Sequence, residues 1–139
     1  MESKLEYYSR LEDDIIRTYK EAEDDETRDA ARMLMRKHHV KILEWESPDF
    51  YEVYRAYRSI FEDGTEFLNF NSALNSEKIK SCVKIMKENG IKHFTYSSTW
   101  TNAIRGAWDF EQAGAKLEGM VEINTCYNTK VPALKFTIE

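Results

Sequence analysis

The chain has 139 residues, of which 32% are charged and 42% hydrophobic, and a formal net charge of -5. That is enough for one domain with a buried core, and five glycines and two prolines leave no room for a long flexible linker. No apolar run reaches the roughly 20 residues of a membrane span.

The first residues, MESKLEYYSRLEDD, lack the apolar centre of a signal peptide. A cytoplasmic protein is therefore expected, with Cys82 and Cys126 as reduced thiols. Residues 1–29 carry 11 acidic and 5 basic side chains, and the remainder carry 14 and 15. The acidity is thus concentrated at the N-terminus, which repels nucleic acid and suits a basic protein groove. For a charge run alone, a solvated helix face is the favoured explanation.

Residues 2–22 read as a helix, because Leu5, Tyr8, Leu11, Ile15 and Tyr19 follow three- and four-residue spacing. Glu12, Asp13 and Asp14 lie off that stripe. The knot Glu21, Glu23, Asp24, Asp25 and Glu26 holds a turn and the start of a second helix, where carboxylates complement the helix dipole. Arg28, Arg32 and Arg36 follow four apart, with Lys37 and Lys41 beside them, and Ala30, Ala31, Leu34 and His38 make the inner face. The arginines are expected either to pair with the acidic first helix or to contact phosphate. His38 and His39 are adjacent, so they diverge on a helix and make a poor metal pair.

Ser47-Pro48 opens a third helix with a serine cap and a first-turn proline. Phe50, Val53, Tyr54, Tyr57, Ile60 and Phe61 form its apolar stripe, and Asp63-Gly64 ends it. Thr65 to Asn71 reads as a strand. Ser76 is expected to cap a fourth helix with the inner face Ile79, Cys82, Val83 and Met86, which makes Cys82 a buried thiol. Ile91 to Ser97 is a second strand. Ser98 or Thr99 caps a fifth helix, on which Trp100, Ile104 and Trp108 recur every four residues. Trp108 is expected to be buried against Leu117, Val121 and Ile123 of the next strand. Gly114 ends the fifth helix in a left-handed conformation.

Val131 to Ile138 is the last strand. Pro132 makes it an edge strand, or one that pairs only beyond the proline. The fold expected is α+β: three N-terminal helices followed by a β-α-β-α-β-β mixed four-stranded sheet with helices packed on it. It is read as a single domain over residues 1–139, helical over residues 1–63 and sheet-forming over residues 64–139. Each β-α-β unit should set its strands parallel, and the last two strands should form an antiparallel hairpin.

No phosphate loop, GxGxxG, HExxH or GxSxG motif is present. Ser97 and Ser98 follow a strand as a nucleophile does, but a helix cap explains them with less. Glu118 and Glu122, with His93 nearby, are the one candidate metal or acid–base cluster, set against an ordinary polar sheet face.

The pattern Trp100, Ala107-Trp108, Phe110, Ala113-Gly114 and Leu117 to Asn124, closed by VPALKFTIE, resembles a family of small proteins encoded on phages and conjugative elements of Gram-positive bacteria. The resemblance covers Ile91 to Glu139 and supplies no catalytic residues. It implies a non-enzymatic protein of the bacterial cytoplasm, without a cofactor, that acts against host defence as an anti-CRISPR inhibitor of a Cas9-type nuclease. Such an effector holds nucleic acid in positively charged channels. Glu12, Asp13, Asp14, Glu21, Glu23, Asp24, Asp25 and Glu26 are then the expected partner-binding residues. The alternatives are a nucleic-acid-binding accessory protein using Arg28, Arg32 and Arg36, and a metal-dependent nuclease using Glu118, Glu122 and His93.

Overall fold

A computed structural model describes residues 2–139, the side chain of Trp100 excepted. The order is α1 (Lys4–Glu21), α2 (Asp25–Trp45), α3 (Pro48–Glu62), β1 (Leu68–Phe70), α4 (Ser76–Glu88), β2 (His93–Tyr96), α5 (Trp100–Gln112), β3 (Ala115–Asn124) and β4 (Lys130–Ile138). This is the expected α+β fold. Two compact units divide the chain at Met1–Tyr51 and Glu52–Glu139. The division falls inside α3, so only the first turn of α3 belongs with α1 and α2.

In the first unit α1 packs on α2. Ser3 caps α1 by accepting from the Glu6 N–H, and Asp24 caps α2 by accepting from the Thr27 N–H at 2.7 Å. The Tyr8 ring meets His38 of α2 and Phe50 of α3, with centroids 6.1 and 5.8 Å apart. Two inner faces differ from the sequence reading. On α1 the buried set is Leu5, Tyr8, Ser9 and Glu12, so Glu12 belongs to the buried side. On α2 it is Ala31, His38 and Ile42, while Leu34 is exposed.

In the second unit Ser59 ties α3 to the first strand. Its Oγ donates to the Ala56 carbonyl and accepts from the Asn69 N–H at 3.1 Å. The α4 inner face is Ile79, Cys82, Val83 and Met86, all buried as expected. Its cap is Asn75, one residue before the expected Ser76. The sheet order is β1-β2-β4-β3. Strands β1 and β2 are parallel across α4. The final strand β4 is central and antiparallel to both its neighbours. It therefore separates β2 from β3, although these two still run parallel. Pro132 is consequently not on an edge strand. Nor does it pair only beyond the proline: on the β3 side Glu122 lies opposite Pro132 and Asn124 opposite Lys130, whereas the ladder between β4 and β2 begins at Leu134, so the missing N–H costs that ladder nothing.

Helix α5 corrects the sequence reading most. Trp108 is 66% and Ile104 57% exposed, whereas Phe110 is fully buried. The expected partner Trp100 lies outside the described side chains. The helix turns its small residues inward. Gly106 is buried, and a Cβ there would run into the ring of Tyr96 on β2. The Tyr96 ring thus lies against the helix backbone at Gly106, and Trp108 and Ile104 are left on the outer side. Phe110 then enters a ring cluster with Phe70, Phe94, Tyr96 and Phe136, at centroid distances of 4.9 to 5.8 Å. Thr99 occupies the cap position without a side-chain cap bond.

The strand alternation also breaks. A bulge between Leu117 and Gly119 shifts the register, so Leu117 lies opposite Phe136 and Val121 opposite Ala133. Leu117 and Val121 thus face opposite sides of the sheet. Trp108→Ala should now change stability by no more than about 0.5 kcal/mol, as for most exposed positions. Thermal melting that drops sharply would return Trp108 to the core.

Candidate functional site

The eight expected partner-binding carboxylates separate into two groups. Glu12 leaves the surface. It is 3% exposed, its Oε1 accepts from His39 Nε2 at 2.9 Å, and His38 Nε2 lies 3.9 Å away. The two adjacent histidines therefore converge on one carboxylate, contrary to the sequence reading. With His39 Nε2 donating, its Nδ1 accepts from the Tyr51 hydroxyl at 3.2 Å. The result is a Tyr51–His39–Glu12 chain of hydrogen bonds. Nearby, the Tyr8 hydroxyl donates to Glu46 at 2.7 Å, and burial, followed by Glu46, pushes it up to about 12.

Burial holds His38 below the ordinary 6.5, against the opposing pull of Glu12. The folded state thus prefers neutral His38. Its contribution is fully present above the ordinary value and is lost as pH falls through 6.5 toward the lowered folded value. Denaturant unfolding above and below pH 6.5 should show this decline, and His38→Gln should flatten it. An unchanged pH slope in that variant would rule it out.

The other carboxylates are at or near the surface. Asp13 is exposed, and Asp14 pairs with Arg17 at 2.8 Å. Glu21, Glu23, Asp24, Asp25 and Glu26 are all exposed and cluster at the α1–α2 turn. Two of them also hold local structure. Asp24 caps α2, and the Thr27 N–H keeps its carboxyl below the ordinary carboxylate value. Asp25 pairs with Arg28 at 2.8 Å. Among the described residues Glu21, Glu23 and Glu26 form no ion pair, so the turn is a tip of negative charge.

The arginine stripe pairs mainly within its own helix. Arg28 pairs with Asp25, and Arg32 with Asp29 at 2.9 Å. Arg32 also reaches the Tyr19 hydroxyl of α1, again at 2.9 Å. Arg36, Lys37 and Lys41 form no ion pair among the described residues. Lys41 lies over the Trp45 ring, 4.1 Å from its centroid.

On the sheet face away from Phe94 and Phe136, Glu118 meets Lys135 at 3.2 Å and accepts from Thr137. The Thr137 hydroxyl, and then Lys135, hold its carboxyl below the ordinary carboxylate value. His93 Nδ1 lies 3.4 Å from the same hydroxyl. Sequence spacing missed Lys135 and Thr137, which reach Glu118 only through β3–β4 pairing. Glu122, opposite Pro132, does not join this cluster. Among the described residues no group of three or more His, Cys, Asp or Glu is placed to hold a metal ion. Ser97 accepts from Asn69 Nδ2 at 3.1 Å. Cys82 is a buried and Cys126 an exposed free thiol.

A family profile matches residues 52–138, the same stretch that forms the second compact unit. The chain belongs to the family Domain of unknown function (DUF7698). The DUF7698 region thus comprises most of α3 and the whole sheet with α4 and α5. Both the acidic tip and the basic end of α2 lie outside the residues matched to DUF7698. No curated protein and no solved structure matches the chain. Among the described residues no helix is long and apolar enough to cross a membrane.

Proposed function

We propose that the protein is a non-enzymatic binding protein of a mobile element, and that it acts against host defence by inserting its acidic α1–α2 tip into a nucleic-acid channel of a Cas9-type nuclease. The observation that carries this reading is the tip itself, where five carboxylates are exposed within the six residues Glu21–Glu26. Such a cluster is attracted to a channel built to hold phosphates, and it speeds encounter by steering. The sequence resemblance over Ile91 to Glu139 supplies the class of partner.

The structure sharpens the choice of variant. Reversing Asp24 would remove a helix cap, at a cost of about 0.5–2 kcal/mol, and reversing Asp25 would remove an ion pair. Glu21→Lys with Glu23→Lys leaves both intact and keeps Glu26 in the first turn of α2, where it complements the helix dipole. This double variant should keep the wild-type melting temperature and lose at least about tenfold in affinity, or about 1.4 kcal/mol. Capture on guide-free and guide-loaded nuclease at low salt measures it. Absence of wild-type binding to either form would defeat the reading.

A second reading follows from Arg36, Lys37 and Lys41 beside Trp45, a pattern that suits phosphate and base stacking. Gel shifts on single-stranded DNA, duplex DNA and RNA decide it. Retention unaltered by Arg36→Ala with Lys37→Ala would discard it.

A further inference from the structure

The outward face of α2 carries a row of side chains spaced by four: Asp25, Asp29, Met33, Lys37 and Lys41. Residues four apart form one ridge on a helix surface. The ridge reads negative, negative, apolar, positive, positive. It points away from the buried stripe Ala31, His38 and Ile42. Met33, at its centre, is 57% exposed, and Val40 beside it is 49% exposed. Exposed apolar side chains are ordinary on this surface, which also bears Leu34, Leu43 and Trp45; what sets this ridge apart is that its charges are ordered with opposite signs about Met33.

We propose that this ridge is the interface of a homodimer, in which α2 of one chain crosses α2 of a second copy antiparallel about a two-fold axis at Met33. A two-fold interface must be complementary to itself. This row meets that condition, because reversing it exchanges the acidic end for the basic end. Asp29 of each copy then faces Lys37 of the other, and Asp25 faces Lys41. Met33 meets its own counterpart. Val40 comes opposite Glu26, whose aliphatic stem can cover it, so the dimer engages Asp25 and Glu26 and leaves Glu21, Glu23 and Asp24 of the tip outside the crossing. Ala30 lies beside the ridge and adds no bulk at the crossing. The carboxylates involved are held only by exposed pairs inside their own helix, Asp25 to Arg28 and Asp29 to Arg32. Those pairs are weak and leave the oxygens open to a second cation. A parallel pairing would set Asp25 against Asp25 and Lys41 against Lys41, so charge selects the antiparallel arrangement.

Sedimentation of the full chain should give twice the chain mass at high protein concentration, with the dimer weakening as salt is raised. Lys37→Glu with Lys41→Glu should give monomers, as should Asp25→Lys with Asp29→Lys. Mixing these two variants should restore a dimer containing one of each, because every facing pair again has opposite signs. Recovery on mixing is a result that simple misfolding cannot produce. A second measurement does not depend on charge reversal. In a Cys126→Ser background, Met33→Cys should oxidise to a covalent dimer, while Val40→Cys should not. Equal cross-linking at both positions would mean a parallel pairing and overturn the proposal. A wild-type chain that stays monomeric would also overturn it, whether or not Lys37 and Lys41 then bind anionic vesicles or nucleic acid. So would variants that dimerise alone as wild type does, or that fail to recover on mixing.

Discussion

Phe110→Ala should destabilise the second unit by about 3–5 kcal/mol, the usual cost of truncating a core aromatic. Phe110 is fully buried and touches four other rings, on β1, β2 and β4. Phe94 and Phe136, stacked at 5.0 Å, would be left facing a void. Natural domains keep only about 5–15 kcal/mol in total, so the variant should melt far below wild type or accumulate as insoluble protein. Denaturant unfolding monitored by far-UV circular dichroism checks this. A loss under about 1 kcal/mol would mean that the site collapses easily, as well-packed aromatic clusters do not.

Gly106→Ala should also destabilise, although helix propensity alone points the other way. Glycine inside a helix costs roughly 0.5–1 kcal/mol relative to alanine. Against that gain stands the ring of Tyr96, which a Cβ at position 106 would strike. The ring cannot swing away easily. Tyr96 is 1% exposed, lies edge-on to Phe110 at 5.4 Å, and donates its hydroxyl to the Ser72 carbonyl at 3.2 Å. Overpacking of this kind typically costs about 1–3 kcal/mol, so a net loss is expected. A double-mutant cycle with Tyr96→Leu isolates the clash. In the Tyr96→Leu background Gly106→Ala should become neutral or stabilising. If Gly106→Ala stabilises the wild-type chain, α5 does not sit as close to β2 as the structure places it.

The candidate binding surface was legible only in part. The charge run from Glu21 to Glu26 reads directly from the sequence, because a turn between two amphipathic helices exposes whatever it carries. That Glu12 is not among those surface carboxylates could not be read this way. Its hydrogen-bond partner His39 lies 27 residues away, and nothing local distinguishes it from Asp13. Glu118 is a similar case, since Lys135 and Thr137 reach it through strand pairing.

Local periodicity by itself determined the elements, the inner face of α4, the Ser47 and Gly114 boundaries and the α+β class. Each of these depends on residues within a turn or two, where spacing and backbone preference decide the outcome. Only the tertiary structure decided which stripe of α5 turns inward, that β4 inserts between β2 and β3, and that the bulge after Leu117 reverses the faces of β3. Two stripes of α5 are helical in period, one large and apolar and one small. Close approach to Tyr96 selected the small one, because packing against a distant strand depends on shape as well as on hydrophobicity.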